Sequence, residues 1–501
     1  MRLRWALLGI IMLGTFLSVS NISSDSMWLD EGQSVFYATR SFTNLIGHVL
    51  HELQQPGYFI LLRGWFSVFG VSDLSGKLLS AAFCPIIIIL TYLLGKELFS
   101  EKVGISAAFF TAISPLLIEQ YQQVRDYSLF AALCLASFYF MVLMMKTDYK
   151  KYRWHHAVCT TCALYTHDLA TWSIICQNAW VIWRKRFSRK WLLQQVMVGF
   201  LFIPGAILFA IQFLTFYPRQ TEAMGKLFHE GFWSTVWANI TQVFGNAIML
   251  VSVFILLATI IVLRIRKKMN MERKEEESLQ LVLTWVFVPL ILAICLSVIW
   301  ALIHKRYLVF IVPGISILAS YLIFKVFTKR NIAITAIFIL AVSMAFSIAD
   351  RFTQHWTPEW EEVAQFMHEN AGPNDTIIIY PGWEYAIFTY YMTPACFLLP
   401  PEQGFPDITT CNFRNNIFFP DWDEGRLWDD LRIDSGRDGL RTNSGERFLT
   451  LGELAEKADW LILIKYSDDY PILDNATSYF KTKKDVTEAR KFTSLIVYKL
   501  T

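Results

Sequence analysis

Long apolar runs, separated by short polar segments, recur from residue 5 to residue 349. Runs near 20 residues with few charges have the length of a membrane-crossing helix. Eleven are expected: 5–22, 78–98, 103–120, 126–145, 155–168, 169–183, 193–214, 236–263, 279–303, 306–327 and 331–349. The stretch 155–183 reads either as one span or as two short helices broken near Tyr165-Thr166-His167-Asp168. Residues 58–69 form an amphipathic run that is too interrupted to span and suits an interfacial helix.

The pattern changes after residue 350, where apolar stretches shorten and Gly, Pro, Asp and Asn become common. Trp360, Val363, Ala364, Phe366 and Met367 recur at helical spacing over 359–370. Gly372-Pro373-Asn374-Asp375 is a turn, and Thr376–Tyr380 reads as a buried strand. A helix at 452–457 and strands at 460–465 and 492–500 complete a small α/β domain. The expected division is a transmembrane domain at 1–349 and an extracytoplasmic α/β domain at 350–501. The segment 400–447 is polar and aperiodic, either an ordered cover or a surface insertion.

Composition supports this reading. Of 501 residues, 54% are hydrophobic and only 17% charged, too few to coat a soluble protein of this length. The net charge of +3 is uninformative until it is mapped along the chain. With 155–183 as two helices, one side collects Arg2 and Arg4, Lys146 to Arg153, Arg184 to Lys190, Arg264 to Lys274, and Lys325 to Arg330. Under the positive-inside rule that side is cytoplasmic. The amino terminus is then inside, and the C-terminal domain outside a cell (inner or plasma) membrane. The first run, residues 5–22, reads as a span, although a cleaved signal peptide has similar features. Six cysteines lie in spans. Cys396 and Cys411 fall together in the outer domain, and a disulfide between them is expected there.

The sequence carries no Walker loop, HExxH, GxSxG or dinucleotide fingerprint. Nothing in it points to nucleic acid. The candidate chemistry therefore sits in polar residues at the outer ends of spans, where ionisable groups are costly. Asp30 and Glu31 follow the first run; Asp30 suits a general base and Glu31 a supporting contact. A pair of solvated loop carboxylates explains them as simply. Arg125, in the polar island 119–128, offers a guanidinium for a phosphate; a snorkelling arginine paired with Glu119 or Asp126 is the alternative. Lys305 and Arg306 stand at another outer turn against the positive-inside trend and suit a phosphate headgroup. Tyr58, Tyr127, His167 and Tyr307 are candidates to line the substrate pocket, with a helix-capping role for His167-Asp168 as the plainer reading. No metal site is assigned. His48, His51 and Glu52 leave a divalent cation open, but that spacing is weak as a ligand set.

Taken in order, these motifs resemble the GT-C membrane glycosyltransferases, in particular the protein O-mannosyltransferases and lipid A aminoarabinose transferases with their prokaryotic family 39-like cousins. Trp28-Leu29-Asp30-Glu31 resembles their first-loop acidic motif. Gln55-Pro56-Gly57-Tyr58-Phe59 is similar to a segment usually written with two prolines and aromatics. Arg125-Asp126-Tyr127-Ser128-Leu129 resembles an Arg-x-Tyr-x-Leu segment, Thr166-His167 a Thr-His pair, and Arg306-Tyr307-Leu308 a late Arg-Tyr-Leu.

The resemblance implies a polyprenyl-phosphate sugar donor, a lipid, glycan or protein hydroxyl acceptor, and inverting transfer on the extracytoplasmic face. It also implies Asp30 as base and Arg125, Lys305 and Arg306 on the donor phosphate. Gln55 and Gly57 depart from the more usual His or Pro. Three other readings stay open: a transporter or flippase of lipid-linked sugars, a polymerase or ligase using lipid-diphosphate donors, and a structural membrane scaffold with a periplasmic binding domain.

Overall fold

The computed structural model describes residues 2–51, 54–215, 232–300, 303–353, 358–372, 375–380, 385–392, 416–418, 456–464, 478, 480–492 and 494–501. The chain folds as two compact units. The first comprises Met1–Ile22 and Leu45–Gln354; the second comprises Ser23–Asn44 and His355–Thr501. The segment 23–44, expected with the first domain, thus belongs with the C-terminal one.

The first unit is a helical bundle. Among the described residues six helices are long and apolar enough to cross a membrane, or up to eight if each of two bent pairs counts as one span. The other expected spans correspond to shorter or less apolar helices, including Arg2–Val19, Tyr149–Thr166 and Ala170–Trp183. Polar caps mark the breaks between helices, because the first N–H groups of a helix lack partners within it. Ser72, Ser100, Ser114, Ser188 and Asn246 each accept from a backbone N–H three residues on. Asp148 accepts from Lys150 N and Lys151 N at 2.8 and 3.2 Å.

The expected break at 165–168 is present: Tyr149–Thr166 ends on His167 in extended backbone, and Ala170–Trp183 follows. Three expected single spans are interrupted. Glu101–Ala112 and Pro115–Tyr121 meet at 58°, where Ser114 caps and Pro115 starts the second helix. Arg189–Leu201 and the helix from Ile203 meet at 63°. The expected span 236–263 is two helices, Phe232–Val243 and Ala247–Ile265, parted by Gly245 at φ +95° and the Asn246 cap.

Lys305–Val326 and Tyr127–Lys146 are the most enclosed candidate spans, while Ala247–Ile265 and Arg330–Thr353 present most of their apolar surface outward. Such outward faces are what a bilayer covers, since backbone groups are already paired inside each helix. Close helix packing in the core uses glycine: a Cβ on Gly104 would lie 2.6 Å from Tyr92 O.

The second unit has a five-stranded sheet in the order β2-β1-β3-β5-β4, with β1 at Thr376–Tyr380, β2 at Asn416–Phe418, β3 at Trp460–Ile464, β4 at Val486–Lys491 and β5 at Leu495–Leu500. β1 pairs parallel with β2 and β3, and β5 pairs antiparallel with β3 and β4. β3 is buried throughout, as a continuous apolar run predicts. Asp375 immediately precedes β1. Burial raises its pKa, but hydrogen bonds from Trp460 Nε1 at 2.7 Å, Gly372 N at 3.0 Å and Lys499 Nζ at 3.5 Å outweigh that and hold it below the ordinary value. Helix Trp360–Asn370 buries Trp360, Val363, Ala364 and Met367, four of the five expected positions. Cys396, Cys411, all of the segment 400–447 except strand β2, and most of the expected helix at 452–457 lie outside the described residues.

Candidate active site

In the second unit, helix Leu29–Thr39 carries the acidic pair in its first turn, where carboxylates favour the helix dipole. Glu31 is buried and its Oε2 accepts from Trp28 N at 3.1 Å, so it caps its own helix. Asp30 is half-buried, and its carbonyl accepts from Ser34 Oγ at 2.8 Å. The helix is anchored nearby: Met27 N donates to Tyr391 Oη at 2.8 Å, and Glu361 N to Ser26 Oγ at 3.2 Å. A Cβ on Gly32 would lie 3.0 Å from Ile387 Cβ, so helix Tyr385–Met392 packs directly on this turn. The two acids therefore differ in role, one spent on local structure and the other partly accessible.

In the first unit, residues from four stretches of sequence meet at one end of the bundle. The guanidinium of Arg125 lies 5.5 Å from the centroid of the Tyr127 ring, and that of Arg306 lies 5.8 Å from the same centroid. Tyr127 is buried, and its electron-rich face favours both cations. His167 lies 5.7 Å from the Tyr127 ring and 6.0 Å from Tyr307, and it stacks on Phe130 at 4.8 Å. His167 Nδ1 accepts from Leu169 N at 3.2 Å, which leaves the proton of a neutral ring on Nε2. Beside it, Gln55 Nε2 donates to Asp168 Oδ1 at 2.7 Å. That contact is made possible by Gly57. A Cβ there would lie 2.5 Å from Tyr165 O, so glycine lets helix Gly57–Phe69 approach the end of Tyr149–Thr166.

The charges are arranged unequally. Arg125 Nε is 4.0 Å from Asp126 Oδ1, a long contact. Lys305 Nζ lies 2.7 Å from Glu119 Oε2, and its backbone N donates to Asn239 Oδ1 at 2.7 Å. Glu119, weighed in the sequence as a partner for Arg125, is thus paired with Lys305. His304 Nδ1 accepts from Arg306 N at 3.4 Å. Burial first, then the Arg306 and Lys305 charges, push His304 down to about 3, so the ring is neutral at physiological pH.

Arg125, Tyr127, His167, Arg306 and Tyr307 therefore lie together in one cluster. Lys305 is drawn to Glu119, and Tyr58 is buried beside Phe59 in the first turn of its helix. Phe130, His304 and Asn239 join the cluster without having been singled out; only His304, adjacent to the two cations, carried a local signal. Among the described residues no group of three His, Cys, Asp or Glu side chains is arranged to hold a metal ion, and Glu52 lies outside them.

Residues 54–216, about a third of the chain, match the family model of dolichyl-phosphate-mannose-protein mannosyltransferases. The fold is similar to that of ArnT from Cupriavidus metallidurans in the apo state (TM-score 0.56, 10% identity, covering 98% of this chain and 96% of that one). It is also similar to ArnT from that organism bound to undecaprenyl phosphate (TM-score 0.52, 10% identity, 98% and 97% covered). A third similar structure is the oligosaccharyltransferase AglB from Archaeoglobus fulgidus in complex with an inhibitory peptide and a dolichol-phosphate (TM-score 0.55, 11% identity, 100% and 74% covered). No curated protein sequence matches the chain.

Proposed function

Starting from a fold and a family match that are both of the GT-C membrane glycosyltransferase type, we propose that this chain transfers a sugar from a polyprenyl-phosphate carrier to a hydroxyl acceptor on the extracytoplasmic face. The observation that carries the reading is the pair of guanidiniums, Arg125 and Arg306, gathered on one buried tyrosine at a bundle end. Arginine grips a phosphate with parallel hydrogen bonds and keeps its charge at any physiological pH. A lipid phosphate bound there would have its leaving charge stabilised in a site shielded from water. That the similar ArnT and AglB structures hold undecaprenyl phosphate and dolichol-phosphate supports a lipid carrier of this kind.

In the proposed step, Asp30 takes the proton of the acceptor hydroxyl as that oxygen attacks the anomeric carbon. The carbon–oxygen bond to the phosphate breaks with inversion, and the lipid phosphate leaves with the electron pair. Glu31, buried as a cap, holds the turn that carries Asp30. Tyr127, His167 and Tyr307 shape the polar and aromatic wall beside the phosphate. Lys305 stays beside Arg306, but its charge is largely offset by Glu119 at 2.7 Å, so the grip on the phosphate falls to the two arginines.

Purified wild-type protein and its Asp30→Asn variant, offered polyprenyl-phosphate hexoses and a hydroxyl acceptor, test the base. Turnover should fall by at least ~100-fold, the usual scale for a general base. Undiminished transfer by the variant would remove Asp30 from the mechanism.

A further inference from the structure

A second cationic site lies at the other end of the bundle. Helix Tyr127–Lys146 starts beside the Arg125 cluster and ends at Lys146, roughly 30 Å away at 1.5 Å per residue. That separation is about the thickness of a bilayer's hydrocarbon core. At the Lys146 end is a cavity of about 500 Å³, within the size range of small-ligand sites.

Its lining is of two kinds. Leu98, Val142, Met145 and Leu281 supply an apolar wall. Lys146, Arg186, Arg273 and Lys274 supply four cations, against the single carboxylate of Glu277. That carboxylate is heavily engaged: Oε1 lies 2.6 Å from Arg184 Nη2 and 3.3 Å from Arg273 Nε, and Oε2 lies 2.5 Å from Arg186 Nη2. One negative charge thus holds three guanidiniums, and although Lys146 Nζ lies 3.7 Å from Glu97 Oε1, the cations around the cavity still outnumber the carboxylates. Trp180, which donates from Nε1 to Glu277 O at 3.1 Å, adds an indole of the type favoured at the membrane–water interface.

Apolar walls with a surplus of held cations match an amphiphile with an anionic head. A free anion would gain nothing from the wall, and a zwitterionic lipid would leave the excess charge uncompensated. The positive-inside pattern assigns this end to the cytoplasmic leaflet, where basic pockets between transmembrane helices bind anionic headgroups. We propose that this cavity is a binding site for the phosphate headgroup of an anionic glycerophospholipid from the cytoplasmic leaflet, separate from the donor-phosphate cluster at the opposite end.

Native mass spectrometry of the full-length protein in detergent tests this directly. The protein is titrated in parallel with phosphatidylglycerol, phosphatidylcholine and inorganic phosphate. Phosphatidylglycerol adducts should persist at activation energies that strip phosphatidylcholine. The double variant Arg273→Glu, Lys274→Glu should lower their retention by at least ~10-fold, as lost charge-assisted contacts predict. Both residues lie in the first turn of helix Arg273–Trp300, and Arg273 is 88% exposed, so the bundle should still form. An unchanged gel-filtration profile checks that, and the single Lys274→Gln variant should show a smaller loss in the same direction. Equal retention of the two lipids, displacement of phosphatidylglycerol by inorganic phosphate, or adducts unaffected by the charge reversal would each overturn the assignment.

Discussion

Side chains decide the chemistry, and the proposed function rests most heavily on two arginines. A hydrogen bond to a charged group contributes about 1.5–3 kcal/mol, so losing one on a bound phosphate weakens binding by about 10- to 100-fold. Arg306→Ala should raise the apparent KM for a polyprenyl-phosphate donor on that scale while leaving the acceptor KM unchanged. Arg306→Lys should recover only part of it, because an ammonium cannot reproduce the planar fork. A donor KM unmoved in Arg306→Ala would argue against the phosphate role. Much of this cluster was legible in the sequence, because Arg125, His167 and Arg306 are ionisable residues placed beside apolar spans, where they are expensive. Phe130 and Asn239 were not legible. An aromatic inside an apolar helix and an amide near a helix end look like ordinary packing until the fold sets them against His167 and Lys305.

At the scale of elements, hydrophobic periodicity located the helices but not their bends. Pro115 and Gly245 stand at two of the breaks, yet the apolar runs around them continue, and composition over a long window averages a cap away. The break at His167 was legible only through charge, since counting 155–183 once would have put the later basic clusters outside. Strand β4, Val486–Lys491, was missed for the opposite reason: it is an exposed edge strand, half of it charged, with no apolar face to read. One approach between helices is tight enough to be tested. Gly57→Ala would force a Cβ to within 2.5 Å of Tyr165 O, a backbone oxygen in the last turn of the neighbouring helix. Overpacking of this kind costs about 1–3 kcal/mol. Thermal melting of the purified variant should show a lower midpoint, with reduced transfer as the Gln55–Asp168 hydrogen bond loosens. A wild-type melt would show that the two helices have room to part.

For the whole molecule, a polytopic helical bundle with a small α/β region and the GT-C likeness were legible from apolar runs and five short motifs in order. The grouping of Ser23–Asn44 with the C-terminal residues was not. It depends on pairings such as Met27 with Tyr391, between residues 364 positions apart, for which neither stretch carries a local signal. The choice between an enzyme and a carrier of lipid-linked sugars turns on whether the bond between sugar and phosphate breaks. The most direct measurement is therefore the fate of a polyprenyl-monophosphate hexose, labelled in both sugar and lipid, incubated with the purified protein in vesicles. The account predicts that label divides into glycosylated acceptor and free polyprenyl phosphate, with the diphosphate-linked donor left unused. Intact donor that has merely crossed the bilayer, or consumption of the diphosphate donor alone, would contradict it.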